Sequence, residues 1–225
     1  MALPPASTVD SLKFFEENGY FSDDCAAIGR LVIDQETKGN VESSETLNLA
    51  KSILLHERCG AILEPYLNCP NNIELCVALG PDKNHCFVFT LQSGETDRII
   101  IHMWSPRSQG ELYRGSHVDL PGQRALIAAP ASNGLLEPPS AILRMRENNP
   151  ITVTMANGGI TITDRRFVFR ILQGSTISFD LRKEKNPSEV AGKKKNPSDV
   201  AEFTLANMDS MVMGGRSAPD DGDRS

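Results

Sequence analysis

The chain has 225 residues, enough for one domain of ordinary size with extensions and too few for two full domains. Its 40% hydrophobic and 23% charged residues are those of a folded soluble protein and exclude fibrous and wholly disordered classes. A net charge of -6 excludes a general nucleic-acid binder, because phosphate neutralisation needs a concentrated basic surface.

The N-terminus, Met1-Ala-Leu-Pro-Pro-Ala-Ser-Thr8, lacks the basic start and apolar core of a secretory signal. No run reaches the length of a membrane span. The expectation is a cytoplasmic protein without membrane contact, with residues 1–9 a flexible lead. The five cysteines, Cys25, Cys59, Cys69, Cys76 and Cys86, contain no Cys-x-x-Cys pair and read as reduced, partly buried thiols.

Asp10 to Phe21 predicts a short helix: Asp10 caps it, Leu12 and Phe15 face inward, and Asn18-Gly19 ends it. Tyr20 and Phe21 begin a new segment. A second helix opens at Ser43-Ser44-Glu45 and carries Leu47, Ile53 and Leu54 up to His56, where an imidazole suits the helix C-terminus. Gly60 permits a break before a short helix through Ile62, Leu63, Tyr66 and Leu67.

From Asn72 the period falls to two residues. Strands are expected over Ile73–Leu79, His85–Leu91, Arg98–Trp104, Glu111–Tyr113, Ile151–Met155, Ile160–Thr163, Phe167–Leu172 and Thr176–Leu181, with turns at Gly80-Pro81, Ser105-Pro106 and Asn157-Gly158-Gly159. Ser140 to Arg146 predicts a helical turn inside a looser stretch. About eight short strands after a helical start give an α+β class, mainly β, with a sandwich or barrel core over residues 10–181. Residues 182–225 change character: Lys185-Asn-Pro-Ser-Glu-Val-Ala recurs as Lys195-Asn-Pro-Ser-Asp-Val-Ala, and the composition is that of a charged, largely flexible tail.

The candidate chemistry gathers between Arg98 and Asp119. Strand alternation puts Arg98, Ile100, His102 and Trp104 on one face, a mixture that suits a cavity wall better than open solvent. His102 or His117 is a candidate general base, with Asp119 or Asp164 orienting the ring. Arg98, Trp104, Tyr113, Arg114, Asp164 and Arg166 are candidate substrate-binding groups, an arginine polarising a carbonyl or holding an enolate. Against this, Asp164 paired with Arg165 or Arg166 in a turn and His102 satisfied in a core are ordinary structural arrangements. His117-Val-Asp119 has the spacing of a metal pair, but its third ligand would have to be His85 or His102.

Phe14-Phe-Glu-Glu-Asn-Gly-Tyr-Phe21, Gly115-Ser-His117 and Asn157-Gly-Gly-Ile-Thr-Ile-Thr-Asp-Arg-Arg-Phe-Val-Phe169 together resemble segments of phytanoyl-CoA dioxygenase-like proteins. The resemblance spans about Ser11 to Asp180. It implies a double-stranded β-helix of the jelly-roll or cupin kind, and in that family an iron and 2-oxoglutarate site. The chain departs from the pattern. No His-x-Asp lies between Ile73 and Phe89, Phe169 stands where the distal histidine is expected, and the strand after Gln173 lacks the cosubstrate arginine.

Three functions follow as expectations. The first is a metal-independent, cofactor-free protein that binds a small, mostly apolar organic molecule, an isomerase or cyclase of a biosynthetic pathway. The second is a non-catalytic binding or dimerisation module; the third, an oxygenase with an atypical iron site. Edge strands in such sheets often pair across a two-fold axis, which makes a homodimer one candidate assembly.

Overall fold

The computed structural model describes residues 8–39, 44–67, 73–93 and 97–183. The lead, the duplicated tail and Cys69 lie outside these residues, apart from the ends of the first and last segments. Five helices are present among them: α1 (Thr8–Asn18), α2 (Ala26–Lys38), α3 (Ser44–His56), α4 (Gly60–Leu67) and α5 (Ser140–Met145). The strands are β1 (Tyr20–Asp24), β2 (Ile73–Leu79), β3 (Arg98–Trp104), β4 (Ser108–Tyr113), β5 (Ala129–Pro130), β6 (Leu136–Glu137), β7 (Pro150–Met155), β8 (Gly159–Thr163), β9 (Phe169–Gln173) and β10 (Thr176–Arg182). No described helix is long and apolar enough to cross a membrane.

The predicted strands recur with small changes of boundary. The expected strand at His85–Leu91 is reduced to two bridges, Phe87 to Phe169 and Val88 to Leu136. Helix α2 and strand β1 were not expected. Their signals are weak: the N-cap Cys25 makes no side-chain cap, and the buried stripe is only Ile28, Gly29, Val32 and Gln35. The surviving clue was Gly39, whose left-handed φ of 67° lets its N–H close the helix on Gln35 and Glu36.

All sheets are antiparallel. The large one runs β1-β8-β3-β10-β2, the second runs β7-β4-β9, and β5 pairs with β6. Alternation along the large sheet sorts its side chains. Ile99, Ile101, Met103, Ile160, Ile162, Ile177 and Phe179 face one way and pack on α2, α3 and α4 through Ile28, Leu47, Leu54 and Leu63. The opposite face meets the three-stranded sheet in a second core of Trp104, Leu112, Val153, Phe167, Phe169 and Ile171. A third, smaller cluster of Cys86, Val88, Tyr113, Leu143 and Val168 lies beneath α5 on the outer side of that sheet.

The turn between β7 and β8 is fixed by contact with α2. Gly158 has φ 86°, and a Cβ there would lie 2.3 Å from the Gly29 Cα and 2.8 Å from the Trp104 carbonyl oxygen. Backbone, not a flexible side chain, fills the space. Gly158→Ala is expected to destabilise by about 2 kcal/mol or more through strain and displacement of α2, as chemical denaturation would measure.

Candidate functional site

The sequence-predicted residues fall in three separate places. The first is the space between the two large layers. His102 and Trp104 lie on β3 opposite β8 and β10, with His102 paired to Thr161 and Ser178 in register. The His102 Nδ1 is hydrogen-bonded to the Ser178 hydroxyl at 2.7 Å, and its Nε2 lies 3.5 Å from the Thr163 hydroxyl. Trp104 Nε1–H donates to the Thr161 hydroxyl at 2.9 Å.

From the facing layer, the Phe169 ring comes within 4.7 Å of the His102 ring, and Phe89 within 6.0 Å. Phe89 stacks on Phe169 at 6.0 Å, and Phe87 tilts against it at 6.2 Å. Trp104 reaches so far across that a Cβ on Gly110 of β4 would meet its ring at 2.6 Å. The mixed face therefore does not wall a cavity: His102 is 0% exposed and Trp104 1%. Burial alone drives the His102 pKa from 6.5 down to about 3, so the ring is neutral at physiological pH. This corrects the expectation of His102 as a base poised near neutrality. Its polar partners come from strands far along the chain.

Arg98, at the start of the same strand face, enters a charged cluster that the sequence did not announce. It lies 3.3 Å from Glu74 and 3.9 Å from Asp180, while Arg165 lies 2.7 Å from Asp180. Asp180 is 2% exposed. Desolvation raises its pKa, opposed by Arg165 and Arg98. The available signal was the polar and apolar alternation of Thr176-Ile-Ser-Phe-Asp180, which sets a carboxylate on the inward face.

The second place follows β4. Gly115, at φ 73°, turns the chain so that the His117 ring stacks on Phe167 at 4.9 Å. Burial lowers the His117 pKa, with Asp164 opposing and Arg166 reinforcing. Asp119 does not orient this ring, contrary to expectation. Its carboxylate pairs with Arg166 at 2.9 Å and lies 3.6 Å from Arg146. Asp164 makes the ordinary turn, accepting the Arg166 backbone N–H at 2.8 Å. Arg114 points away and donates to the Asn18 side chain at 3.3 Å. A cavity of about 140 Å³ remains here, lined by Leu91, Ser116, Leu126 and Arg166 among others.

Arg146 organises this region. It is 3% exposed and donates to the carbonyls of Val118, at 2.9 Å, and Arg124, and to the Asn148 side chain at 3.2 Å. Its own carbonyl accepts from Gln123 at 2.8 Å. Arg146→Ala strands these acceptors and is expected to cost about 1–3 kcal/mol. Limited trypsinolysis should then cut at Arg124 sooner than in the wild type.

No metal triad forms among the described residues, where no three histidine, cysteine, aspartate or glutamate side chains converge. His85 is exposed and bonded to Asp82 at 2.8 Å, and His102 is sealed between the sheets. Neither joins His117 and Asp119. The residues present do not fit the iron site that the family resemblance implies, and Phe169 fills the space across from His102 with an aromatic ring.

The third place is the outer side of the three-stranded sheet, where α5 and the turn after it border an open cavity of about 530 Å³. Tyr113, Ser140, Leu143, Arg144, Glu147 and Arg170 contribute to its lining. Its floor is a connected network. Glu111 accepts from Arg170, both from Nε at 3.1 Å and from an Nη, and from the Tyr113 hydroxyl at 3.3 Å. Arg170 also lies over the Tyr113 ring at 6.0 Å. Desolvation raises the Tyr113 and Cys86 pKa values. Of the sequence candidates only Tyr113 belongs here. Ser140, Arg144, Glu147 and Arg170 carry no motif, and only the fold brings β4, β9 and α5 together.

No family model matches the chain, and no curated protein matches it. Among solved structures it is similar to the crystal structure of the non-heme alpha ketoglutarate dependent carbocyclase SnoK from nogalamycin biosynthesis. The TM-score is 0.46 and the identity 10%, over 84% of this chain and 94% of that one. At that distance the likeness transfers neither ligand nor reaction.

Proposed function

We propose that this protein is a metal-independent binding module on a double-stranded β-helix, with an interior that is structural and a ligand met at the outer surface. The path of the chain supports the fold. It alternates between layers: β2, then the bridge at Phe87, then β3, then β4 with its partner β7, then β8, β9 and β10. The resulting orders, β2-β10-β3-β8 facing β7-β4-β9 and the Phe87 segment, support a jelly-roll reading with β1 as one added edge strand.

The observation that carries the functional reading is the ring of Phe169, 4.7 Å from His102, which occupies the space a substrate would need. An isomerase or cyclase working from His102 requires an open interior and an imidazole that titrates near neutrality. A surface cavity of about 530 Å³ falls in the range that small ligands use.

The test is elemental analysis of protein purified without chelators and then incubated with ferrous iron and 2-oxoglutarate under nitrogen. Substoichiometric iron, with no cosubstrate consumed on admitting oxygen, is the expected result. Stoichiometric iron or oxygen-dependent decarboxylation would overturn the reading.

A further inference from the structure

Two opposite charges line the outer cavity, both exposed and without ion-pair partners among the described residues, Arg144 in the last turn of α5 and Glu147 just beyond it. They are three apart in sequence, a spacing at which opposite charges on one helix commonly meet. They do not, because the helix has already ended. The Glu147 N–H bonds to the Arg144 carbonyl at 3.0 Å and the Asn148 N–H to the Leu143 carbonyl at 3.0 Å, and Glu147 takes φ 58°. That closing position ordinarily belongs to glycine, since an L side chain is disfavoured there. A glutamate is held in it, and its side chain lines the cavity.

The lining also includes the apolar Leu143 and Pro150 and the hydroxyl-bearing Ser140, while the Tyr113 hydroxyl is already spent on Glu111. Arg170 does not add a free cation, because its guanidinium is spent on Glu111 and on the Lys83 carbonyl. The lining therefore presents one cation and one anion beside an apolar patch at Leu143 and Pro150.

We infer that this cavity binds a free α-amino acid with an apolar side chain, its carboxylate on Arg144 and its ammonium on Glu147. The side chain lies over Leu143 and Pro150. This rests on the binding-module reading and supplies its ligand class. A site for a plain carboxylate would not need Glu147, and a site for an amine would not need Arg144.

The test is calorimetric titration of the full-length protein with L-phenylalanine and L-leucine, beside 3-phenylpropionate and phenethylamine, which each keep one charge. One of the amino acids is expected to bind, with the single-charge analogues weaker by about tenfold or more, the loss that follows from one missing hydrogen bond between charged groups. Arg144→Ala and Glu147→Gly should each weaken binding by a similar factor, and Ser140→Trp should abolish it by filling the space. Glu147→Gly should at the same time raise the melting temperature, since it relieves the backbone, so lost binding there cannot be lost folding. Failure of both amino acids to bind, binding of 3-phenylpropionate as tight as that of phenylalanine, or indifference to Arg144→Ala would each overturn the inference. Those results leave the iron assay untouched, so the two readings fail separately.

Discussion

Phe169→Ala is expected to lose about 3–5 kcal/mol of stability, the cost of removing a large aromatic from a close-packed core that only partly collapses. The ring is 1% exposed and touches the aromatic rings of Phe87, Phe89 and His102 at once. For a domain whose total stability is of the order of 5–15 kcal/mol, such a loss brings the midpoint of urea unfolding down steeply. Phe169→Leu retains most of the volume and should lose much less. The contrast separates a filled interior from a ligand chamber. If the layers enclosed a working cavity, truncating Phe169 would only enlarge it, and a loss below about 1 kcal/mol would contradict the packing described above.

A second large effect is expected with pH. His102 is neutral when buried, with its pKa lowered from 6.5 to about 3. Below pH 6.5 the unfolded chain takes up a proton there and the folded one does not, so stability is fully present above that value and falls as the pH drops towards the folded pKa. Between pH 8 and pH 5 this one residue should remove about 2 kcal/mol, at 1.4 kcal/mol per unit once below the unfolded pKa. His102→Gln keeps a hydrogen-bonding group for Ser178 but cannot titrate. Its stability at pH 8 should be lower than that of the wild type, because the shape is wrong for the site, while the extra loss down to pH 5 should disappear. Equal pH slopes in the two proteins would show that His102 is solvated. Carboxylates change both proteins alike and cancel in the comparison.

Much of the architecture was legible because period-two and helical patterns record which face of an element is buried. Arg98–Trp104 forms the expected strand with the expected faces, and Ile99, Ile101 and Met103 point to the helices while His102 and Trp104 point to the other sheet. The α2 helix escaped because Gly29 and four β-branched residues, Ile28, Val32, Ile33 and Thr37, weaken its local preference, and packing on β3 and β8 supplies what propensity does not. The chemistry was less legible. Alternation marked His102 as inward-facing, but whether an inward polar group lines a cavity or satisfies itself depends on what arrives opposite. Here Ser178 and Phe169 arrive, 76 and 67 residues later in the chain.

The sequence by itself determined the order of most helices and strands, α2 and β1 excepted, together with the two faces of β3, the turn chemistry at Asn157-Gly158-Gly159 and the aromatic side chain at position 169, since these are local properties or the identity of a single side chain. Only the tertiary structure decided that the space between the layers is closed, that His102 is neutral, that Asp119 belongs to Arg166 and Arg146, and that the open cavity lies under α5. Each of these turns on a distance or a degree of burial between segments remote in sequence, and desolvation, ion pairing and steric exclusion act through distance, which the order of residues does not carry.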